Sequence, residues 1–430
     1  MRNETRLHFQ RMLTDARDET DRIFDLVHPA ALYDRPIPER HRIIFYIGHL
    51  EAFDWNMVCR RALGMASFEP EFDRLFEFGI DPVSGNLPTD RPADWPGFTP
   101  IERYRARTRA AVDQAFAGAE TAEAFSVAIE HRLMHAETLA YLLHRLTLDK
   151  KIHAGAREVR DWVWPAPQPR QIDIPAGDAT LGRPREDEGF GWDNEYCAET
   201  AHVPAFSIDA FNVTNAQFLE FIEAGGYEER SFWTEGSWNW IRSSGIRHPN
   251  FWRRLQDMWM LDTMFSRIPL PLSWPVYVSH AEASAFSRWK GKALPTEAQY
   301  HRAAFGTPEG AERSLPWGDA IPAAGVHGNF DGLQWNPSSV GAFAAGASAF
   351  GVTDLMANGW EWLSTIFGPF QGFKPMALYP EYSAAFFDGA HFVMKGASPR
   401  TSAQMMRRSF RNWFQPHYPN IYATFRCVDN

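Results

Sequence analysis

His131-Arg-Leu-Met-His135-Ala-Glu137 lies inside an apolar stretch whose spacing predicts a long helix from about Thr121 to Leu148. Two histidines at i and i+4 stand one above the other on a helix face, a separation that lets two imidazoles bind one metal ion. The stripe they occupy continues through Ala128, Thr138 and Leu142, so it is expected to face a helical interior. Glu137 stands about two-thirds of a turn round from His131, a poor angle for a third ligand, and a supporting role suits it better. A third imidazole is available upstream in Ile47-Gly-His-Leu50, where His49 shares the apolar face of Ile47, Leu50 and Phe53. From spacing alone the set stays open between a three-nitrogen metal site and ordinary buried, hydrogen-bonded histidines. His41, His144 and His153 read as solvated or structural.

Outward from this stretch, three more helical segments complete an up-down bundle over residues 1–160. One covers roughly residues 3–27. A second starts at Pro38, carries Ile43, Ile44, Ile47, Leu50 and Phe53, and stops at Gly64. A third opens on the capping-box pattern Thr99-Pro-Ile-Glu102 and ends near Gly118. Phe68–Phe98, between the second and third, is a long connection, and such connections are usually functional or mobile. The Pro-rich run Trp162–Arg170 marks a linker over 161–171. Residues 172–430 then alternate short β-like runs with Gly, Asn and Pro turns, broken by two short helices, one after Val213-Thr-Asn215 and one over Ser279–Trp289. The expected class is therefore multidomain, an α bundle followed by a loop-rich α+β domain.

Composition sets the outer limits. The 430 residues suit two or three domains, and 45% hydrophobic with 22% charged residues is ordinary for a soluble chain. Most of the 17 Trp and 33 Phe lie beyond residue 160, a second sign of two differently built halves. A net charge of −10 with no basic stripe argues against a nucleic-acid partner. No apolar run is long enough to span a bilayer, and Met1–Asp15 has no signal-peptide core. Three cysteines without ligand spacing, Cys59, Cys197 and Cys427, make no disulfide framework, so the cytoplasm is the expected compartment.

Gly48-His-Leu50 followed some eighty residues later by His-x-x-x-His-x-Glu resembles the DinB-like iron domain of the ergothioneine-type sulfoxide synthases. The second half resembles their formylglycine-generating-enzyme-like (C-type-lectin-like) domain. The matching stretches include Gly177-Asp-Ala-Thr-Leu-Gly182, Asp193-Asn-Glu195, Leu294-Pro-Thr-Glu297, Ala357-Asn-Gly-Trp-Glu-Trp362, Phe410-Arg-Asn-Trp413 and Phe425-Arg-Cys427. Several of these mark a fold rather than an activity. Formylglycine-generating enzymes need two reactive cysteines near the end of the domain, and Cys427 stands alone there.

The resemblance implies Fe(II) on His49, His131 and His135, O2 as cosubstrate, and a C–S bond formed between the imidazole of hercynine (Nα-trimethylhistidine) and a thiol. It implies that Asn412 and Trp413 bind the trimethylammonium group, an aromatic face being suited to a quaternary cation. Arg411 could hold a donor carboxylate or make an internal ion pair. The catalytic tyrosine is implied near Tyr379 or Tyr382, the latter inside a shared fold motif. A second branch of the family carries a tyrosine pair where this chain has Phe76-Glu-Phe78. Two departures touch the donor: Phe414 replaces an Asp that follows Asn-Trp in relatives using γ-glutamylcysteine, and Met134 replaces a frequent Gln. Both point away from γ-glutamylcysteine, toward a smaller thiol or an unusual sulfur or selenium donor. Competing expectations are a selenoneine-type synthase on the same architecture, a DinB-type metal-dependent thiol S-transferase needing no oxygen, and a non-catalytic small-molecule binding module.

Overall fold

Helices do occupy the first part of the chain, and their boundaries follow hydrogen bonding, some of it with distant residues, more than apolar spacing. The computed structural model describes residues 3–77, 87–115, 122–152 and 167–429. The chain divides into two compact units: Met1–Ala156 with Ala377–Tyr379, and Arg157–Met376 with Pro380–Asn430. Most of the expected linker lies outside the described residues, as do His153, Phe78, Gly118 and Thr121.

The first unit contains α1 (Asn3–Phe24), α2 (Ile43–Asp54), α3 (Pro70–Leu75), α4 (Phe98–Ala115) and α5 (Ala122–His144). α1 packs along α5, and α2 packs on both α4 and α5. All twelve residues of α2 are buried, which makes it the central helix of the bundle. It begins at Ile43, five residues later than Pro38 suggested. Arg42 is extended (φ −67°, ψ 155°), with its guanidinium held by Asp90 and the Tyr33 carbonyl. The helix continues as a π-helical segment, Trp55–Ala62, and stops at Gly64 (φ +67°), whose N–H donates to the Arg60 carbonyl. Thr99 lies inside α4 rather than capping it, because the helix already starts at Phe98.

One polar network ties four helices together. Arg132 of α5, fully buried, bonds Asp54 (2.5 Å) and Glu51 (3.3 Å) of α2 and Thr20 of α1. Arg109 of α4 bonds Glu51 (2.7 Å) and Asp21 of α1 (2.8 Å). Burial alone would raise the Glu51 carboxyl, but Arg132 and Arg109 outweigh it and bring it to about 2. Breaking such a buried pair on one side costs about 3–5 kcal/mol, so the network locks α2 against α5.

Among its described residues the second unit has twelve short strands: β1 (Gln171–Ile174), β2 (Gly177–Leu181), β3 (Glu199–Val203), β4 (Phe206–Asp209), β5 (Trp252–Leu255), β6 (Met258–Asp262), β7 (Arg267–Pro269), β8 (Gly359–Ile366), β9 (Phe392–Ala397), β10 (Asn412–Phe414), β11 (Ala423–Thr424) and β12 (Val428–Asp429). The largest sheet has the order β10-β9-β8-β11, and a second sheet runs β1-β4-β12. Ile174, Ile208, Tyr300, Phe305, Phe330, Leu363 and Val393 belong to the core of this unit. Buried Arg–Glu pairs brace it, Arg426–Glu361 at 2.6 Å and Arg407–Glu195 at 2.5 Å. Asn358, at φ +66°, enters β8 with its side chain bonded to both the N–H and the carbonyl of Ser338.

Among the described residues four α-helices stand here where two were expected: α6 (Asn215–Glu223), α7 (Glu235–Ser244), α8 (His280–Trp289) and α9 (Glu297–Phe305). Each begins on a side-chain cap: Thr214, Thr234, Ser279 and Thr296. The two unexpected ones are short and rich in Trp or Ala, so cap chemistry marked them better than apolar period. Among the described residues no helix is long and apolar enough to cross a membrane.

Candidate metal centre

α2 and α5 bring His49, His131 and His135 together. One nitrogen of each lies within 4.8 Å of the others, and all three rings are at least 96% buried. His49 Nε2 is 3.3 Å from His135 Nε2. Two nitrogens each about 2.1 Å from one ion, at angles between octahedral and tetrahedral, stand roughly 3.0–3.4 Å apart. The observed pair fits that span. Phe53, one turn beyond His49, stacks flat on His131 with ring centroids 3.4 Å apart.

Charge fits a metal as well. Burial drives all three imidazoles toward the neutral, ligating form, His49 to about 4 and His131 and His135 well below the usual histidine value. Among the described residues Nδ1 of His131 and of His135 is buried without a hydrogen-bond partner. His135 meets His49 through Nε2, so its unpartnered Nδ1 is the ring's other nitrogen and not the one that would ligate. Three neutral nitrogen donors suit Fe(II) or Zn(II) and leave coordination positions for other ligands.

The remaining candidates fall into two groups. Met134 sits on α5, half-buried, next to His135. Tyr379 belongs to the first unit, where its ring meets Phe53 edge-on at 5.2 Å beneath the Arg61 guanidinium. It therefore lies one ring removed from His131. Tyr382 belongs to the second unit and stacks on Trp192 at 3.8 Å.

Also in the second unit, Trp413 stacks on Phe367 at 4.2 Å and meets Tyr382 edge-on at 5.3 Å. The Asn412 side-chain oxygen accepts from the Trp413 N–H. Phe414 stacks on Tyr418 at 5.2 Å. Arg411 is clamped by both Glu297 oxygens, the Asn194 and Gly368 carbonyls and the ring of Phe370. A donor carboxylate would have to displace those partners. Cys427 is buried with its thiol pushed up to about 12, the opposite of a reactive cysteine.

Spacing did not reveal Phe53 and Phe76 as neighbours of the histidines. Phe53 was legible only as a core residue. Phe76 lies in the long connection, and its signal was the glycine at position 48, where a helix interior has no need of one.

A helical bundle with a three-histidine cluster, joined to a small-stranded domain braced by buried ion pairs, defines a two-part enzyme architecture, and comparison with known proteins agrees. Residues 12–155 match the DinB superfamily, and residues 163–430 match the sulfatase-modifying factor enzyme 1-like domain. The hercynine oxygenase of Mycolicibacterium thermoresistibile is 32% identical, over 98% of this chain and 95% of that protein. That of Mycolicibacterium smegmatis is 33% identical over 84% and 83%. Ergothioneine biosynthesis protein 1 of Neurospora crassa is 26% identical over 92% of this chain and 55% of its own length. The chain belongs to the hercynine oxygenase family.

Proposed function

We propose that this enzyme is an Fe(II)- and O2-dependent sulfoxide synthase that joins hercynine to a small thiol or selenol. The observation that carries the reading is the buried, neutral cluster of His49, His131 and His135. In the sulfur reaction the imidazole C–H and the thiol S–H lose their hydrogens to one water. One oxygen atom of O2 leaves in that water and the other stays on sulfur. When bound, Fe(II) supplies the open positions at which oxygen is activated and substrates meet. His49, His131 and His135 hold it, and their burial keeps protons off the ligating nitrogens.

Tyr379 is the proton donor in this reading, supported by its place beside Phe53, whose ring covers His131. Tyr382 is structural, stacked on Trp192. Asn412 and Trp413 recognise the trimethylammonium group, supported by the aromatic setting of Trp413. Phe414, packed on Tyr418, gives an apolar wall in place of a carboxylate that would pair with a donor ammonium. A selenium donor is the second reading favoured by that wall. Its compartment is the cytoplasm, in keeping with three free cysteines, and the negative net charge gives no footing for nucleic acid.

The test is anaerobic Fe(II) loading followed by aerobic incubation of hercynine with cysteine, γ-glutamylcysteine or a selenosugar, read by mass spectrometry. A sulfoxide or C–Se product, with γ-glutamylcysteine the poorer thiol, is expected. Turnover without oxygen would instead make the chain an S-transferase, and binding without turnover a binding module.

A further inference from the structure

Among the described residues, His49 is the one ligand candidate whose far nitrogen is held by a protein group. Its Nδ1 lies 2.7 Å from the main-chain carbonyl of Phe76, at the end of α3. A carbonyl only accepts, so Nδ1 carries the hydrogen and the Nε2 lone pair is left for a metal. The Phe76 ring packs directly against α2 at Gly48. A Cβ on Gly48 would meet that ring at 2.4 Å, well inside any tolerated contact. The ring is fully buried among Phe45, Phe72, Trp95 and Tyr104. α3 itself is pinned by Asp73, 1% exposed, which accepts from Tyr104 Oη (2.7 Å) and Trp55 Nε1 (3.2 Å).

We infer that α3 and Phe76, which follow the second helix, are a positioning device for the metal centre. The Phe76 carbonyl fixes the tautomer and ring plane of His49, Gly48 makes room for it, and Asp73 holds α3 in place. Phe76, Gly48 and Asp73 are positioning residues that touch no substrate. Partners of this kind typically change metal affinity 10–100-fold when lost. The inference rests on the three-histidine reading of the site, and the experiment separates the two.

Full-length wild type, Gly48→Ala, Phe76→Ala, the double variant and Asp73→Asn are titrated with Co(II), following the visible ligand-field spectrum. Circular dichroism and apo melting report the fold independently. Gly48→Ala should weaken Co(II) binding about 10–100-fold with helix content kept. The double variant should recover most of that loss, because the smaller side chain at 76 vacates the space the new Cβ needs. Asp73→Asn should weaken binding without touching either residue at the contact. It carries the test if Gly48→Ala does not fold. Nitrogen-15 spectra of the diamagnetic Zn(II) form should show His49 protonated at Nδ1. Unchanged affinity in folded Gly48→Ala or Asp73→Asn, or His49 protonated at Nε2, overturns the inference. A wild type that binds no Co(II) instead overturns the metal reading itself.

Discussion

In the proposed role, Trp413 would present a π face to a quaternary ammonium from a cluster in which Phe367 already covers the ring at 4.2 Å. A desolvated cation–π contact is worth about 2 kcal/mol. Trp413→Ala is therefore expected to weaken hercynine binding by roughly an order of magnitude or more and to erase its preference over unmethylated histidine. Competition binding of the two compounds measures this, and an unchanged ratio would remove Trp413 from the site. The two tyrosines can be told apart in the same spirit. Tyr379→Phe keeps the ring against Phe53 but removes the hydroxyl, so kcat should fall by about 10²-fold or more with metal content unchanged. Tyr382→Phe preserves the stack on Trp192 and should leave kcat near wild type. Equal effects would contradict the division of roles.

At the scale of the element, strand β9 carries a buried lysine with no carboxylate among its direct bonds. Lys395 Nζ donates to the carbonyls of Arg408 (2.7 Å) and Phe410 (2.5 Å) and is 2% exposed. Burial lowers its ammonium to about 7, with Glu297 and Glu195 opposing the shift and Arg411 and Arg408 adding to it. The folded value lies below the unfolded value of about 10.4, so between pH 7 and 10 the unfolded chain binds the extra proton. Stability then rises with pH across that window by up to about 1.4 kcal/mol per unit from this group. Lys395→Met should flatten the alkaline rise in chemical-denaturation stability relative to wild type. An identical pH slope in both proteins would show that Lys395 is charged in the fold.

For the molecule as a whole, the division of labour makes a local prediction. The proposed metal ligands come from α2 and α5 of the first unit, while β8 and β9 are the inner strands of the largest sheet of the other. A ligand that binds only the folded state stabilises what holds it. Adding Fe(II) anaerobically should slow amide exchange in α2 and α5 and leave β8 and β9 nearly unchanged, as read by hydrogen–deuterium exchange with mass spectrometry. Uniform protection across both units would mean that metal binding couples to the entire chain.

The bundle, the two-part organisation and the His131–His135 pair were legible because apolar period and i, i+4 spacing are properties of a single helix, whereas His49, on another helix, joined the pair through the family resemblance. The ordered motifs of the second half carried the family in the same way. Helix ends were less legible: α2 starts where Arg42 finds Asp90, 48 residues away, and no local pattern encodes that bond. The hidden helices α7 and α9 depended on caps at Thr234 and Thr296 rather than on an apolar stripe. Tertiary structure alone paired Arg411 with Glu297, 114 residues earlier, and separated Tyr379 from Tyr382 into different units. It alone set the Phe76 carbonyl on His49 through the bare backbone of Gly48. Spacing along a helix fixes which side chains share a face; which group from a distant segment meets that face is decided only when the chain closes and buried polar atoms find their partners.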